Sequence, residues 1–175
     1  MKSEEGKVDH KIHKKDQWGY SPFTEWKWKS YDNTEFVSID EFIADHKVDD
    51  IFIGTDSQTE KGKCTLTTAL IAYRWGTGGS IIIHTQRVPS FASLRQKLVA
   101  EAMRSLETAW YVNPKISTEN VLVIHLDINS NLKWQSGQYR DELVGMIAAQ
   151  GFLCKSKPDA WAASSVSDRK CKHYA

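Results

Sequence analysis

The stretch that decides the fold is IFIGTDSQTEKGKCTLTTALIAYRWGTGGSIIIHTQRV, residues 51–88. It contains three runs rich in apolar and β-branched residues, which are typical of strands. The runs are separated by TEKGK at residues 59–63 and by GTGG at residues 76–79, and both segments are typical of tight turns. Two hairpin turns in succession predict three neighbouring antiparallel strands.

Helical and strand patterns alternate after this meander. A helical pattern runs from about Phe91 to Trp110, before the helix-breaking Asn113-Pro114 pair. The run VLVIHLDI, residues 121–128, is apolar and bounded, as expected of a strand buried on both faces. A helical stripe ending near Gly151, a short strand at residues 152–155 and a helix at residues 158–170 follow. The order β-β-β-α-β-α-β-α predicts a mixed five-stranded α/β sheet with helices on both faces.

Residues 1–35 have a different character, because lysines alternate irregularly with aromatic residues that include Trp26 and Trp28. After them, Ser38 and Glu41 match a capping box that begins a short helix. We therefore divide the chain into a basic, aromatic N-terminal arm, residues 1–35, and one α/β domain, residues 36–175. The two tryptophans are interpreted either as platforms that stack nucleic-acid bases or as residues that pack against the domain.

Composition limits the classes of protein that the chain can represent. Its 175 residues with 41% hydrophobic content suit one globular domain, and a net charge of +1 gives no overall field that would attract nucleic acid. The three cysteines are widely spaced, which argues against a disulfide framework and a zinc site. No apolar run approaches membrane-spanning length, so a cytoplasmic protein without membrane contact is expected.

Two aspartates end the apolar runs on which the predicted sheet depends. Asp56 follows IFIGT, and Asp127 follows VLVIHL. A buried carboxylate is unfavourable unless something neutralises it, so acids at these positions require an explanation. If the two strands are neighbours, both carboxylates emerge at the same edge of the sheet. The alternative is that each aspartate forms an Asx turn at the end of its strand.

Two helical acids are candidates to join them. Glu101 lies three residues after Leu98, about 60° around the helix, and therefore flanks the apolar stripe, whereas Glu107 points towards solvent. Asp159 falls in the first turn of the last predicted helix, and Asp168 lies about 180° around that helix from it, so only one of the two can address the site. We choose Asp159. The alternatives are a surface acid at position 101 and a helix-capping acid at position 159.

Convergent carboxylates suit a hard cation such as Mg²⁺ or Mn²⁺. Two such ions about 4 Å apart can activate a water molecule and stabilise the leaving oxygen of a phosphodiester. Lys133 and Lys157 are candidates to hold a phosphate group.

Three motifs carry a resemblance to a known family: G-T-D-S-Q at residues 54–58, H-L-D-I-N at residues 125–129 and K-P-D-A-W-A-A-S-S-V-S-D at residues 157–168. They resemble the YkuK-type family of ribonuclease-H-like proteins over about residues 36–172. The resemblance implies a ribonuclease H fold with metal-binding, catalytic acids at Asp56, Glu101, Asp127 and Asp159. Gln58 stands where proofreading exonucleases of this superfamily carry a glutamate, which argues against that class.

The leading hypothesis is a metal-dependent nuclease acting on RNA, an RNA/DNA hybrid or structured DNA. The first alternative is a non-catalytic nucleic-acid-binding module on the same fold, and the second is an interaction scaffold. Catalysis requires the acids as a set, whereas binding alone requires only the basic and aromatic residues.

Overall fold

The computed structural model describes residues 20–32, 34–46, 49–131 and 133–162. Within these residues the strands are β1 (Trp28–Ser30), β2 (Phe36–Val37), β3 (Asp50–Glu60), β4 (Lys63–Arg74), β5 (Gly78–Pro89), β6 (Leu122–Leu126) and β7 (Leu153–Ser156). The α-helices are α1 (Ile39–His46), α2 (Leu94–Val112) and α3 (Arg140–Ala149). Short 3₁₀ segments lie at Phe23–Glu25, Asn113–Lys115 and Gln135–Tyr139.

The strands form one mixed sheet in the order β2-β1-β5-β4-β3-β6-β7. Strands β3, β4 and β5 are the antiparallel meander expected from the two turns, while β6 runs parallel to β3 and β7 parallel to β6. Lys61 and Gly62, with φ angles of 49° and 75°, make the two-residue turn between β3 and β4. The predicted class, a mixed α/β sheet with helices, is confirmed, and the five strands predicted from the sequence correspond to β3, β4, β5, β6 and β7.

The sheet has two more strands than predicted: β1 lies in the region assigned to an N-terminal arm, and β2 begins at Phe36, the first residue of the predicted domain. Strand β1 pairs with Ile82 and Ile83 of β5, and β2 pairs with β1. The expected boundary after residue 35 therefore separates two paired strands. With only three and two residues, these strands are too short to show a period in the sequence. Residues 1–19 lie outside the described residues, and an arm there stays a prediction.

The core buries Trp26 and Trp28, which are 7% and 2% exposed. They belong to the large apolar cluster between the sheet and the helices. This burial corrects their assignment as base-stacking residues, because a base cannot reach an indole enclosed by the sheet and α2. Trp26 and Trp28 pack against the domain, as the alternative interpretation proposed.

Helical residues lie against both faces of the sheet. On one face α1, α2 and α3 contribute to the large cluster, to which the sheet adds Ile53 and Ile124. On the other face Phe52 and Val123 pack with Ala162. Trp161 and Ala162 have helical backbone and are the last described residues, so most of the helix expected at residues 158–170 lies outside them.

The long helix α2 begins and ends slightly later than the sequence pattern predicted. Its cap is Ser93, whose side chain accepts a hydrogen bond from the Gln96 N–H. No helix in the described part of the chain is long and apolar enough to cross a membrane.

Candidate metal centre

Asp56 and Asp127 lie in register on neighbouring parallel strands. The register pairs Thr55 of β3 with Leu126 of β6, so Asp56 and Asp127 are the next residues on each side. Residues paired in this way project from the same face of a sheet. Asp56 is 9% exposed, and the Asp127 side chain is 17% exposed. The carboxylates thus leave one face together, at the carboxyl end of β6.

Glu101 of α2 is buried beside the same strand. The Ser57 hydroxyl donates a hydrogen bond of 2.6 Å to Glu101 Oε1, and the Lys97 ammonium lies 3.7 Å from that oxygen. Burial raises the pKa of Glu101 to about 8, and the charges of Asp56 and Asp127 add to the increase, while Lys97 and Ser57 oppose it. The three carboxylates, from β3, α2 and β6, therefore act on one another.

Lys157, on the turn after β7, neutralises Asp127. Its Nζ lies 2.6 Å from Asp127 Oδ1. Oδ1 is a buried atom that accepts no hydrogen bond in the described structure, so the contact is one of charge with charge and lacks the direction of a hydrogen bond. Lys157 was predicted to hold a phosphate, and here it contacts a carboxylate of the centre.

Asp159 lies in the turn after β7 and precedes the helical residues, whereas the sequence placed it in the first helical turn. Its N–H donates to the Ser156 carbonyl at 3.0 Å, and its side chain is exposed. Its charge acts on His125, which lies two residues before Asp127 along the chain. Asp168, the alternative acid, lies outside the described residues.

His125 is a buried structural residue. Its Nδ1 accepts a hydrogen bond of 3.1 Å from the Ala162 N–H, and its ring lies against Phe52 and Trp161. Burial lowers the pKa of His125 to about 4; the Lys155 charge acts in the same direction and the Asp159 charge opposes it. The imidazole is thus neutral at pH 7 and anchors the start of the C-terminal segment.

The loop after β6 carries Lys133 six residues after Asp127. Both Lys133 and the neighbouring Trp134 are exposed, Trp134 by 62%. The sequence analysis selected Lys133 but not Trp134, because a single tryptophan in an irregular stretch has no period that marks it as exposed.

Ser57 and Lys97 also escaped the sequence analysis. Lys97 precedes Glu101 by four residues, the spacing at which helical side chains meet. Ser57 alternates with Asp56 along β3 and therefore faces α2. The four-residue spacing of Lys97 and Glu101 and the alternation of Ser57 with Asp56 were the signals available in the sequence.

The donor set fits a hard cation, since every candidate ligand is a carboxylate. The buried Oδ1 of Asp127 lacks a hydrogen bond, and Glu101 stays mostly uncharged at pH 7 until positive charge arrives. Within the described residues, however, no three acidic, histidine or cysteine side chains are already gathered at metal-binding spacing. Lysines contact two of the carboxylates instead.

Comparison with known proteins agrees with this architecture. The family model described as Ribonuclease H-like matches residues 35–172. The uncharacterized protein YkuK of Bacillus subtilis (strain 168) is 32% identical over an alignment of 136 residues, which covers 69% of this chain and 77% of that protein. No solved structure matches the chain. With most of its length matched and its strands in the order β5-β4-β3-β6-β7, the chain belongs to the ribonuclease-H-like family, among the YkuK-type proteins.

Proposed function

We propose that the protein is a divalent-metal-dependent nuclease that hydrolyses phosphodiester bonds in RNA, an RNA/DNA hybrid or structured DNA. One observation carries the proposal: Asp56, Glu101 and Asp127 come from three separate elements and share one electrostatic environment. Membership of the ribonuclease-H-like family supports a role that involves nucleic acid. The Bacillus relative is itself uncharacterized and supplies no substrate.

The roles of the residues follow from their positions. Asp56 and Asp127 would hold the cation, Mg²⁺ or Mn²⁺, with Glu101 ionising as the cation binds and Asp159 contributing from its turn. A bound ion of this kind supplies an activated water molecule and stabilises charge on the phosphate oxygens. Ser57 holds Glu101 towards the centre through its hydrogen bond.

Contact with nucleic acid would come from the loop after β6. The chain as a whole has a net charge of only +1, so attraction for a phosphate backbone has to be local. Lys133 would supply a positive charge in the loop that follows Asp127, and the exposed indole of Trp134 would offer a surface on which a base can stack.

The test is cleavage of labelled RNA, hybrid, single-stranded DNA and branched DNA with Mg²⁺ or Mn²⁺. Asp56→Asn and Asp127→Asn should each reduce cleavage to background, because both keep the shape of the side chain and remove its charge. The matched control is Asp141→Asn on α3, whose side chain is 91% exposed, and it should cleave like the unaltered protein. Cleavage that survives in both site variants would contradict the proposal.

A non-catalytic nucleic-acid-binding module is the second candidate. It is favoured by the contacts that Lys157 and Lys97 make with Asp127 and Glu101, which supply positive charge at the centre without a metal. In that case Mg²⁺ should not raise the melting temperature, whereas binding of nucleic acid should weaken as salt increases. Salt-sensitive binding with no cleavage of any substrate would favour this second function.

A further inference from the structure

Lys157 is held at the centre by its backbone. Strand β7 ends at Ser156, which pairs with Leu126 at the end of β6. The next N–H, that of Lys157, donates to the Ile128 carbonyl at 3.0 Å, one residue beyond Asp127. The backbone at Ser156 and Lys157 is therefore bonded to the residues immediately before and after Asp127. The Lys157 side chain is 43% exposed.

The carboxylate that Lys157 contacts has little other support. Asp127 Oδ1 is buried and accepts no hydrogen bond among the described residues. A buried carboxylate oxygen without a partner is strongly unfavourable, so the ammonium at 2.6 Å supplies the compensating charge. A second lysine, Lys97, lies 3.7 Å from Glu101 Oε1.

The balance of charge limits how many metal ions the centre can hold. Asp56, Glu101, Asp127 and Asp159 carry four negative charges when all are ionised. Lys97 and Lys157 carry two positive charges, so one divalent ion makes the group neutral. A second divalent ion would leave two uncompensated positive charges at a partly buried site, where charges interact more strongly than in water.

We propose that Lys157 takes the place of one of the two metal ions expected of a ribonuclease-H-like centre, so that this protein binds a single divalent cation. The inference rests on the proposed metal-dependent function, and it assigns Lys157 to the Asp127 side of the centre. Asp56, Asp127 and Glu101 would then share one cation, and the ammonium of Lys157 would supply the second positive charge beside Asp127.

The experiment counts Mn²⁺ ions per chain by isothermal titration calorimetry and by the paramagnetic resonance of free Mn²⁺, without nucleic acid. The unaltered protein and Lys157→Arg should each bind one ion. Lys157→Met, which keeps the length of the chain and removes the charge, should bind two ions, and the first should bind at least about tenfold more tightly. Lys115→Met is the matched control: Lys115 pairs with Asp40 at 2.5 Å beyond the end of α2, and its removal should change neither number nor affinity.

Each outcome bears on the inference directly. Two ions in the unaltered protein, or none up to millimolar Mn²⁺, would overturn it. If Lys157→Met folds and binds the same number of Mn²⁺ ions with the same affinity as the unaltered protein, the proposed role of Lys157 is wrong. If Lys157→Met does not fold, the number of Mn²⁺ ions bound by the unaltered protein and by Lys157→Arg still tests whether the centre holds a single cation. One bound ion without cleavage of any substrate would sink the proposed nuclease function and leave this inference intact.

Discussion

At the scale of single residues, Glu101 links the fold to the proposed chemistry. It is 4% exposed, and in the absence of added positive charge its carboxyl group holds a proton to about pH 8. A cation close to Asp56 and Asp127 would favour the ionised form. Metal binding and proton release at Glu101 are therefore coupled, and binding should strengthen as pH rises towards 8.

The same residue predicts how stability depends on pH without metal. Burial raises the folded-state pKa of Glu101 from 4.5 to about 8. Between these values the unfolded chain loses a proton that the folded chain keeps, so folded stability falls as pH rises, by at most ~1.4 kcal/mol per pH unit. Glu101→Gln should match the unaltered protein near pH 4.5 and be more stable at pH 8, as measured by urea denaturation.

Glu119→Gln is the control for this prediction, because Glu119 is exposed in the segment that precedes β6. Its stability should follow that of the unaltered protein at every pH. Parallel curves for Glu101→Gln and the unaltered protein would show that the proton on Glu101 is not the cause.

At the scale of elements, the loop between β6 and α3 is built from side-chain bonds to the backbone. The Asn131 N–H donates to Asn129 Oδ1, and the Lys133 N–H donates to Asn131 Oδ1, both at 2.9 Å. The Gly137 N–H then donates to the Trp134 carbonyl at 3.0 Å. These bonds hold the backbone at the exposed residues Lys133 and Trp134, directly before the 3₁₀ segment Gln135–Tyr139.

Gly137 predicts a test of this loop. A Cβ at this position would meet the Asn131 carbonyl oxygen at 2.3 Å, and the backbone would have to move. Gly137→Ala should therefore destabilise the protein by about 1–3 kcal/mol and weaken nucleic-acid binding through the displaced loop. Urea denaturation and a binding titration measure the two effects.

The matched control lies on the next helix. A Cβ at Gly145 of α3 meets nothing within 4 Å, so Gly145→Ala should stabilise the protein by about 0.5–1 kcal/mol. Equal effects of the two substitutions on stability would argue against a close-packed loop.

At the scale of the whole molecule, the N-terminal strands predict the result of truncation. A chain that starts at Phe36 lacks Trp26 and Trp28, and loss of a buried tryptophan side chain costs about 3–5 kcal/mol. Since a domain is stable by only about 5–15 kcal/mol, this chain should not unfold cooperatively in a thermal melt. A chain that starts at Tyr20 keeps β1 and β2 and should melt cooperatively. Similar melting of the two truncated chains would support the arm interpretation.

The sequence predicted the meander, α2 and β6 because these elements are long or strongly apolar. It also predicted that Asp56 and Asp127 lie on neighbouring strands, since both end apolar runs. Strand β1 has three residues and no period, so only tertiary pairing with β5 defines it. The contact between Lys157 and Asp127 joins residues thirty positions apart, and no local pattern announces it.

The position of Trp161 has a practical consequence for spectroscopy. Its indole is 38% exposed, lies 5.5 Å from the His125 ring, and follows the turn that carries Lys157. Trp75 is 75% exposed at the hairpin between β4 and β5, where it bonds to Asp50 at the opposite end of β3 from the centre. Because indole fluorescence responds to nearby charge and polarity, loading the centre should shift the emission of the unaltered protein, and the shift should decrease in Trp161→Phe but persist in Trp75→Phe. The protein thus carries its own optical reporter, and occupancy can be followed without a label.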